Sequence, residues 1–351
     1  MVHKDDQMTP RQRSAALAKG QAVDRMPIAL FYGSPAPGLM GWSRTRAYGD
    51  AESMAQTRCR IYETFGCDNV GVEYGLHGMA ITYGAEVSDD HYNPPAIIRH
   101  PVSLDDLSVL DADRLSVKND KALAVCLEAA KHILDRLGDE VGCGMELTGP
   151  LTCAAGLVGT EALLKAMLRQ PEKVHQLMTF VNDVNIETAK AFVAAGCGLS
   201  VSDPIASGTV ISPRLFRKFV QPYHQKFVAA CHAMGESDPG IHICGDTSPH
   251  SGGHRRLRLP HRVHRQQGGL GGRQAPYRRP GISAGQRRSG ERVFQRHRGG
   301  DAPCCPPLLP QGVGQPLRLH AGAGLRHRLR HAGGERPDLH GRGTQMRQIP
   351  R

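Results

Sequence analysis

Between residues 27 and 244 five short apolar runs recur: Pro27–Phe31, Asn69–Tyr74, Val141–Leu147, Leu199–Ser202 and Ile241–Cys244. Stretches of helical periodicity stand between most of them. Runs of this length suit buried strands, and strands that alternate with helices pair in parallel, because a parallel neighbour is reached only by a crossover. The helix signals are explicit. Thr9-Pro10 and Ser212-Pro213 combine an N-cap with a proline in the first turn. Asp50 opens a helix to about Phe65, with Met54, Ile61 and Phe65 near one face. Asn119 or Asp120 opens another, striped by Leu123, Cys126, Leu127, Ala130, Leu134 and Leu137 and closed by Gly138. Further helices are predicted over Thr160–Leu168, from Pro171 to about Ala195, and unbroken from Ser212 to Met234. Ala80–Val87 and Ala96–Ile98 read as short strands of an excursion. Five βα units in the first 250 residues predict an α/β fold, a (β/α)8 TIM-type barrel of which only about the first five units are written. A doubly wound open sheet is the alternative, and no G-x-G-x-x-G follows the first strand to favour it.

In such a barrel the chemistry sits at the carboxyl ends of the strands. The fifth run ends in His242-Ile243-Cys244-Gly245-Asp246. Residues two apart on a strand share a face, so His242 and Cys244 present an imidazole and a thiol side by side. Zinc favours that pair of ligands, but a catalytic site needs three protein ligands. The bland reading of the same residues is a packed cysteine beside a hydrogen-bonded histidine. Asp203, at the end of the fourth run, could orient a ligand or hold a proton, or simply cap the loop after it. Glu73 ends the second strand and could line the mouth. The Gly/Pro/Ser-rich loop Gly33–Gly41 could also contribute. Tyr223 reads as packing, and His77 and His91 as solvated.

Several segments, taken in order, resemble the uroporphyrinogen decarboxylase superfamily and, within it, the zinc-dependent methyltransferases that act on methylated corrinoids. They are TGPLT (Thr148–Thr152), LLKAMLRQPEKV (Leu163–Val174), DPIASGTVISPRLFRKFVQPYHQKF (Asp203–Phe227) and HICGD (His242–Asp246). The resemblance implies a (β/α)8 barrel, zinc on the H-x-C pair with a further cysteine near the end of the last strand, a small thiol as one reactant, and a methyl-corrinoid carried by a partner protein as the other. Decarboxylase members grip the substrate carboxylates with an Arg-rich segment after the first strand. Phe31–Ser43 contains no Arg, and carboxylates need cationic forks, so tetrapyrrole decarboxylation is the second reading.

Composition changes abruptly near Pro249. Residues 251–351 hold 21 Arg, no Lys, 19 Gly and 10 Pro, with Glu291, Asp301, Glu335 and Asp338 as the acids and Tyr277 and Phe294 as the aromatics. That stretch carries +17, against −6 for the first 250 residues, within a whole-chain charge of +11. The chain therefore divides into a barrel domain, 1–249, and an Arg/Gly/Pro-rich tail, 250–351, whose composition is that of a disordered segment without regular strands. Read from the second base of suitably chosen codons, residues 251–265, 263–272, 285–290 and 324–336 encode, in order, segments resembling the sixth to eighth strand regions of the family. A cysteine codon then straddles Leu325 and Arg326. A frameshift near Pro249–Ser251 accounts for this. The rival, a nucleic-acid-binding tail, explains the charge but not the scarcity of stacking aromatics, and no specific nucleic acid is expected. No apolar run approaches a membrane span, and MVHKDDQMTP lacks a signal-peptide core. The ten cysteines form no C-x-x-C pairs, which suits reduced thiols and a cytoplasmic setting.

Overall fold

The computed structural model describes residues 5–30, 36–88, 94–250 and 263–265. Helix α1 (Pro10–Ala18) starts in a capping box between Thr9 and Gln12. Two helices, α2 (Arg44–Gly49) and α3 (Ala51–Phe65), follow, the second capped by Asp50. Strand β1 (Val70–Glu73) leads into α4 (Gly78–Thr82) and an antiparallel pair, β2 (Glu86–Val87) with β3 (Ile97–Arg99). Then α5 (Lys121–Leu137) returns the chain to β4 (Cys143–Thr148). Helices α6 (Pro150–Val158), α7 (Thr160–Arg169) and α8 (Pro171–Ala194) precede β5 (Gly198–Ser202). Finally α9 (Pro213–Phe219) and α10 (Gln221–Ala233) lead to β6 (Gly240–Ile243), and β7 (Val263–Arg265) lies beyond it. Among the described residues no single helix is long and apolar enough to cross a bilayer.

Strands β1, β4, β5, β6 and β7 form one sheet in that order, every pairing parallel. The order never reverses, as it would at the switch point of a doubly wound sheet. Stepwise addition of parallel strands on one side is how a (β/α) barrel is built.

The structure corrects four expectations. Pro27–Leu30 forms no strand, and Met26 and Ile28 are exposed. Its bonds run partly to side chains: Ile28 N–H donates to Asp68 Oδ2 at 2.8 Å and Leu30 N–H to Asn69 Oδ1 at 2.9 Å. Asp68 and Asn69 thus stand in for a neighbouring ladder. Within Ala80–Val87 only Glu86–Val87 is strand. Met79 and Ala80 are buried in helix α4, and Gly84, at φ 92°, separates the two elements. The helix predicted to run from Ser212 to Met234 breaks at Val220, because Pro222 cannot donate to the preceding turn. A strand also follows Pro249: β7 pairs Val263 with Ile241 and Arg265 with Ile243, as an open parallel edge invites. Apart from His250 and β7 the tail lies outside the described residues, as do His91 and Phe31.

A charged latch ties the N-terminal segment to the amino end of the sheet. Arg13 is fully buried and forks onto Asp24 at 2.7 and 2.8 Å, and its other arm reaches Asp68, just before β1. Arg25 forks onto Asp6 at 2.7 and 2.8 Å and also bonds Asp68. Paired forks of this kind are among the strongest protein hydrogen bonds. The Arg25 fork holds the Asp6 carboxyl below its ordinary value, and the Arg13 fork does the same for Asp24. Both carboxyls bind protons more readily unfolded than folded, so their contribution is complete above about pH 4 and is lost as pH falls through their folded values. Urea unfolding midpoints measured from pH 7 to pH 3 should fall through that window. Asp24→Asn should lower the midpoint at pH 7 and flatten the acid limb; an unchanged acid limb would show that the latch does not contribute.

Candidate active site at the carboxyl ends of the strands

Side-chain alternation divides the sheet into two unlike faces. Val70 and Val72 of β1, Met145 and Leu147 of β4, Val201 of β5, and Ile241 and Ile243 of β6 are buried in apolar clusters with the helices. The intervening positions hold Glu73, Glu146, Ser200, Ser202 and His242, with glycines at 71, 144, 198 and 240. In a barrel this second face is the inside, which bulky branched side chains normally fill. The described strands place none there.

Strand register sets these groups in rows. Glu73 is level with Glu146, Glu146 with Ser200, and Ser202 with His242. Glu73, which the sequence places at the mouth, is held by buried Arg58 at 3.1 Å and lies 3.5 Å from the Tyr48 hydroxyl. Burial, with the neighbouring Glu73 charge, pushes the Glu146 carboxyl up to about 7.

Asp203 is fully buried at the end of β5. Its Oδ1 accepts from the Thr152 N–H at 2.9 Å and the Thr152 hydroxyl at 2.7 Å; its Oδ2 meets His224 Nε2 at 2.9 Å and the Leu151 N–H at 3.4 Å. The TGPLT stretch explains the arrangement. Pro150 starts α6 and leaves the next N–H groups free, as at every helix start. The carboxylate takes two of them and complements the helix dipole. Gly149 allows the approach, since a Cβ there would lie 2.2 Å from the Asp203 side chain. The Asp203 N–H donates to the His242 carbonyl at 2.8 Å, which joins this cluster to β6. Asp203 is thus built into the framework beneath the mouth.

His242 and Cys244 come together as the strand spacing predicts. Nε2 and Sγ are 3.2 Å apart, and both residues are half-buried where β6 gives way to a turn at Gly245. Two such donors on one tetrahedral zinc, at about 2.0 and 2.3 Å, lie roughly 3.5 Å apart. The pair therefore fits zinc in donor type and in spacing. It does not complete a site: among the described residues no group of three or more His, Cys, Asp or Glu could hold a metal.

The remaining candidates sort by contact. Tyr223 packs between helices, its hydroxyl 3.1 Å from the His175 carbonyl and 2.8 Å from His175 Nδ1. His77 is half-buried at the start of α4, near Gly156 of α6. Sequence reasoning missed Glu146 and His224. The parity of β4, with Glu146 alternating with Met145 and Leu147, could have revealed the first. The second lies within Asp203–Phe227, one of the segments that carry the family resemblance, but nothing in its spacing pairs it with Asp203.

Glu146 yields a testable sign. Its folded value lies above the ordinary 4.5, so its burial costs nothing in acid and progressively more as pH rises from about 4.5 to about 7. Glu146→Gln should stabilise the protein at pH 8 by on the order of 1–3 kcal/mol and have little effect at pH 4. Denaturant unfolding at the two pH values checks this; equal effects at both would contradict it.

Comparison with known proteins bears on the same region. The family model for Uroporphyrinogen decarboxylase (URO-D) matches residues 9–257. Methylcobamide:CoM methyltransferase MtbA of Methanosarcina acetivorans is 30% identical over 248 residues, which cover 68% of this chain and 71% of that protein. Methylcobamide:CoM methyltransferase MtaA of Methanosarcina barkeri is 28% identical over 246 residues, 68% of this chain and 70% of that one. A solved structure described as a methyltransferase from Methanosarcina mazei superposes with a TM-score of 0.61 at 27% identity, covering 69% of this chain and 72% of that chain. The chain belongs to the uroporphyrinogen decarboxylase family and is a transferase akin to its methyltransferases.

Proposed function

We propose that this protein transfers a methyl group between a corrinoid carried by a partner protein and a small thiol, with zinc held by His242, Cys244 and a third ligand from beyond the described residues. The observation that carries the reading is the 3.2 Å imidazole–sulfur pair at the carboxyl end of β6. The names of the relatives support it, since they are methylcobamide:CoM and methylated-thiol methyltransferases. Zinc bound at such a pair lowers the pKa of a thiol, so that a thiolate forms at neutral pH.

The chain's own residues supply positioning. Asp203 pins the His242 carbonyl and the start of α6 together, fixing the strand end that presents both ligands. The glycines on the inner face leave room for a substrate beneath the mouth. Orienting two reactants in such a space removes much of the entropic barrier to their reaction. The eight described cysteines are all free thiols, which suits a reducing, cytoplasmic setting.

Decarboxylation of a polycarboxylate fits less well. Arg58, the cation beside the inward-facing Glu73 and Glu146, is already engaged by Glu73 and so is not available to grip a substrate carboxylate.

We further propose that the family sequence continues in another reading frame after about residue 250. The family match ends at residue 257, close to where the charge changes sign, and the third ligand is then the cysteine whose codon straddles Leu325 and Arg326. Re-sequencing near codon 250 should reveal a base gained or lost. The frame-restored protein should bind about one zinc per chain and methylate a thiol from a methyl-corrinoid. The written chain should hold little zinc. His242→Ala and Cys244→Ala in the restored protein should each lose both metal and activity. A restored protein without zinc, or a His242→Ala variant that keeps metal and activity, would overturn the assignment.

A further inference from the structure

The starts of β4 and β5 carry the same tripeptide, Gly142-Cys143-Gly144 and Gly196-Cys197-Gly198. Gly144 and Gly198 are register partners in the parallel pairing. Cys143 and Cys197, one residue earlier on each chain, are therefore level as well. Neighbouring strands lie about 4.8 Å apart, inside the roughly 4.4–6.8 Å between Cα atoms that a disulfide spans. Both side chains are buried in the same apolar cluster and both are free thiols. The neighbouring Cys197, together with burial, pushes the Cys143 thiol up, and the neighbouring Cys143 lowers Cys197. The pair lies at the opposite end of the strands from Thr148 and Ser202, away from His242 and Cys244, and the proposed transfer reaction does not use it.

We propose that Cys143 and Cys197 are a modification site: on exposure to a peroxide they form a reversible disulfide that staples β4 to β5. The Cys197 thiolate attacks one peroxide oxygen and the O–O bond breaks, giving a Cys197 sulfenic acid and one water. Cys143 sulfur then attacks the Cys197 sulfur, the S–S bond forms and a second water leaves. The two thiols are oxidised by two electrons in all, and the peroxide is reduced. Access is short-range, because Gly142, Gly196 and Gly198 are exposed on either side of the cysteines. In-register strands hold the two Cβ atoms farther apart than the roughly 3.8 Å of a relaxed bridge. A Cβ built on Gly142 or Gly198 would meet nothing within 4 Å, so packing does not demand these glycines, and their backbone freedom lets the gap close. A bridge closed against strain is readily reduced, as a switch requires.

The test uses the full chain as written, reduced and then treated with hydrogen peroxide under native conditions. Remaining thiols are blocked after denaturation and the digest is analysed by mass spectrometry. The expected result is one dominant linked species, the Cys143 and Cys197 peptides joined with the loss of two hydrogens, reverting with dithiothreitol. Cys197→Ser should abolish it, and Cys231→Ser, a buried cysteine of α10, should leave it intact. Absence of the link in the parent, a mixture in which other pairings are equally abundant, or a link that forms only in urea would overturn the proposal. The parent protein decides the matter even if Cys197→Ser fails to fold.

Discussion

A single buried carboxylate holds together the part of the molecule where chemistry is expected. Asp203 receives two backbone N–H groups and a hydroxyl from the start of α6 and meets His224 of α10, while its own N–H reaches the carbonyl of His242. Helix α6, helix α10 and strands β5 and β6 therefore meet at one residue. A carboxylate without exposure is tolerable only when its acceptor positions are filled. Here the helix start does most of the filling, and in return the carboxylate satisfies N–H groups that no other part of the helix can satisfy.

The two faces of the sheet translate this framework into a site. Apolar residues on one face anchor the helices, and small or polar residues on the other leave an inner surface that carries charge. Arg58 offsets one carboxylate of the Glu73–Glu146 pair, and Glu146 accommodates by holding its proton to near neutrality. At the far end of the strands the Arg13 and Arg25 latch closes the amino side of the sheet. The latch thus fastens the amino ends of the strands and Asp203 the carboxyl ends, the end at which barrel architecture favours chemistry.

Much of this was legible in the sequence, for identifiable reasons. The helix from Asp120 to Leu137 declared itself through its cap and its stripe, and the strands β1, β4, β5 and β6 through their length and apolarity. His242 and Cys244 were legible because strand parity alone brings them together. Asp203 was visible as a candidate, but its partners were not: Thr152 and His224 lie 51 and 21 residues away in the chain. The break at Pro222 was legible in principle, and the apolar stripe running through it masked the signal. Pro27–Leu30 misled because an apolar run looks the same whether it bonds to a ladder or to the side chains of Asp68 and Asn69.

The claim that Asp203 is the joint on which the site depends is open to one direct measurement. Asp203→Asn keeps the shape but replaces an acceptor oxygen with a donor, facing either the Thr152 and Leu151 N–H groups or His224. Equilibrium urea unfolding should show a loss of at least about 3 kcal/mol, the cost of breaking a buried charged cluster from one side. A variant whose stability lies within about 0.5 kcal/mol of the parent, the range of ordinary surface substitutions, would show that the strands and helices at this mouth do not depend on that carboxylate.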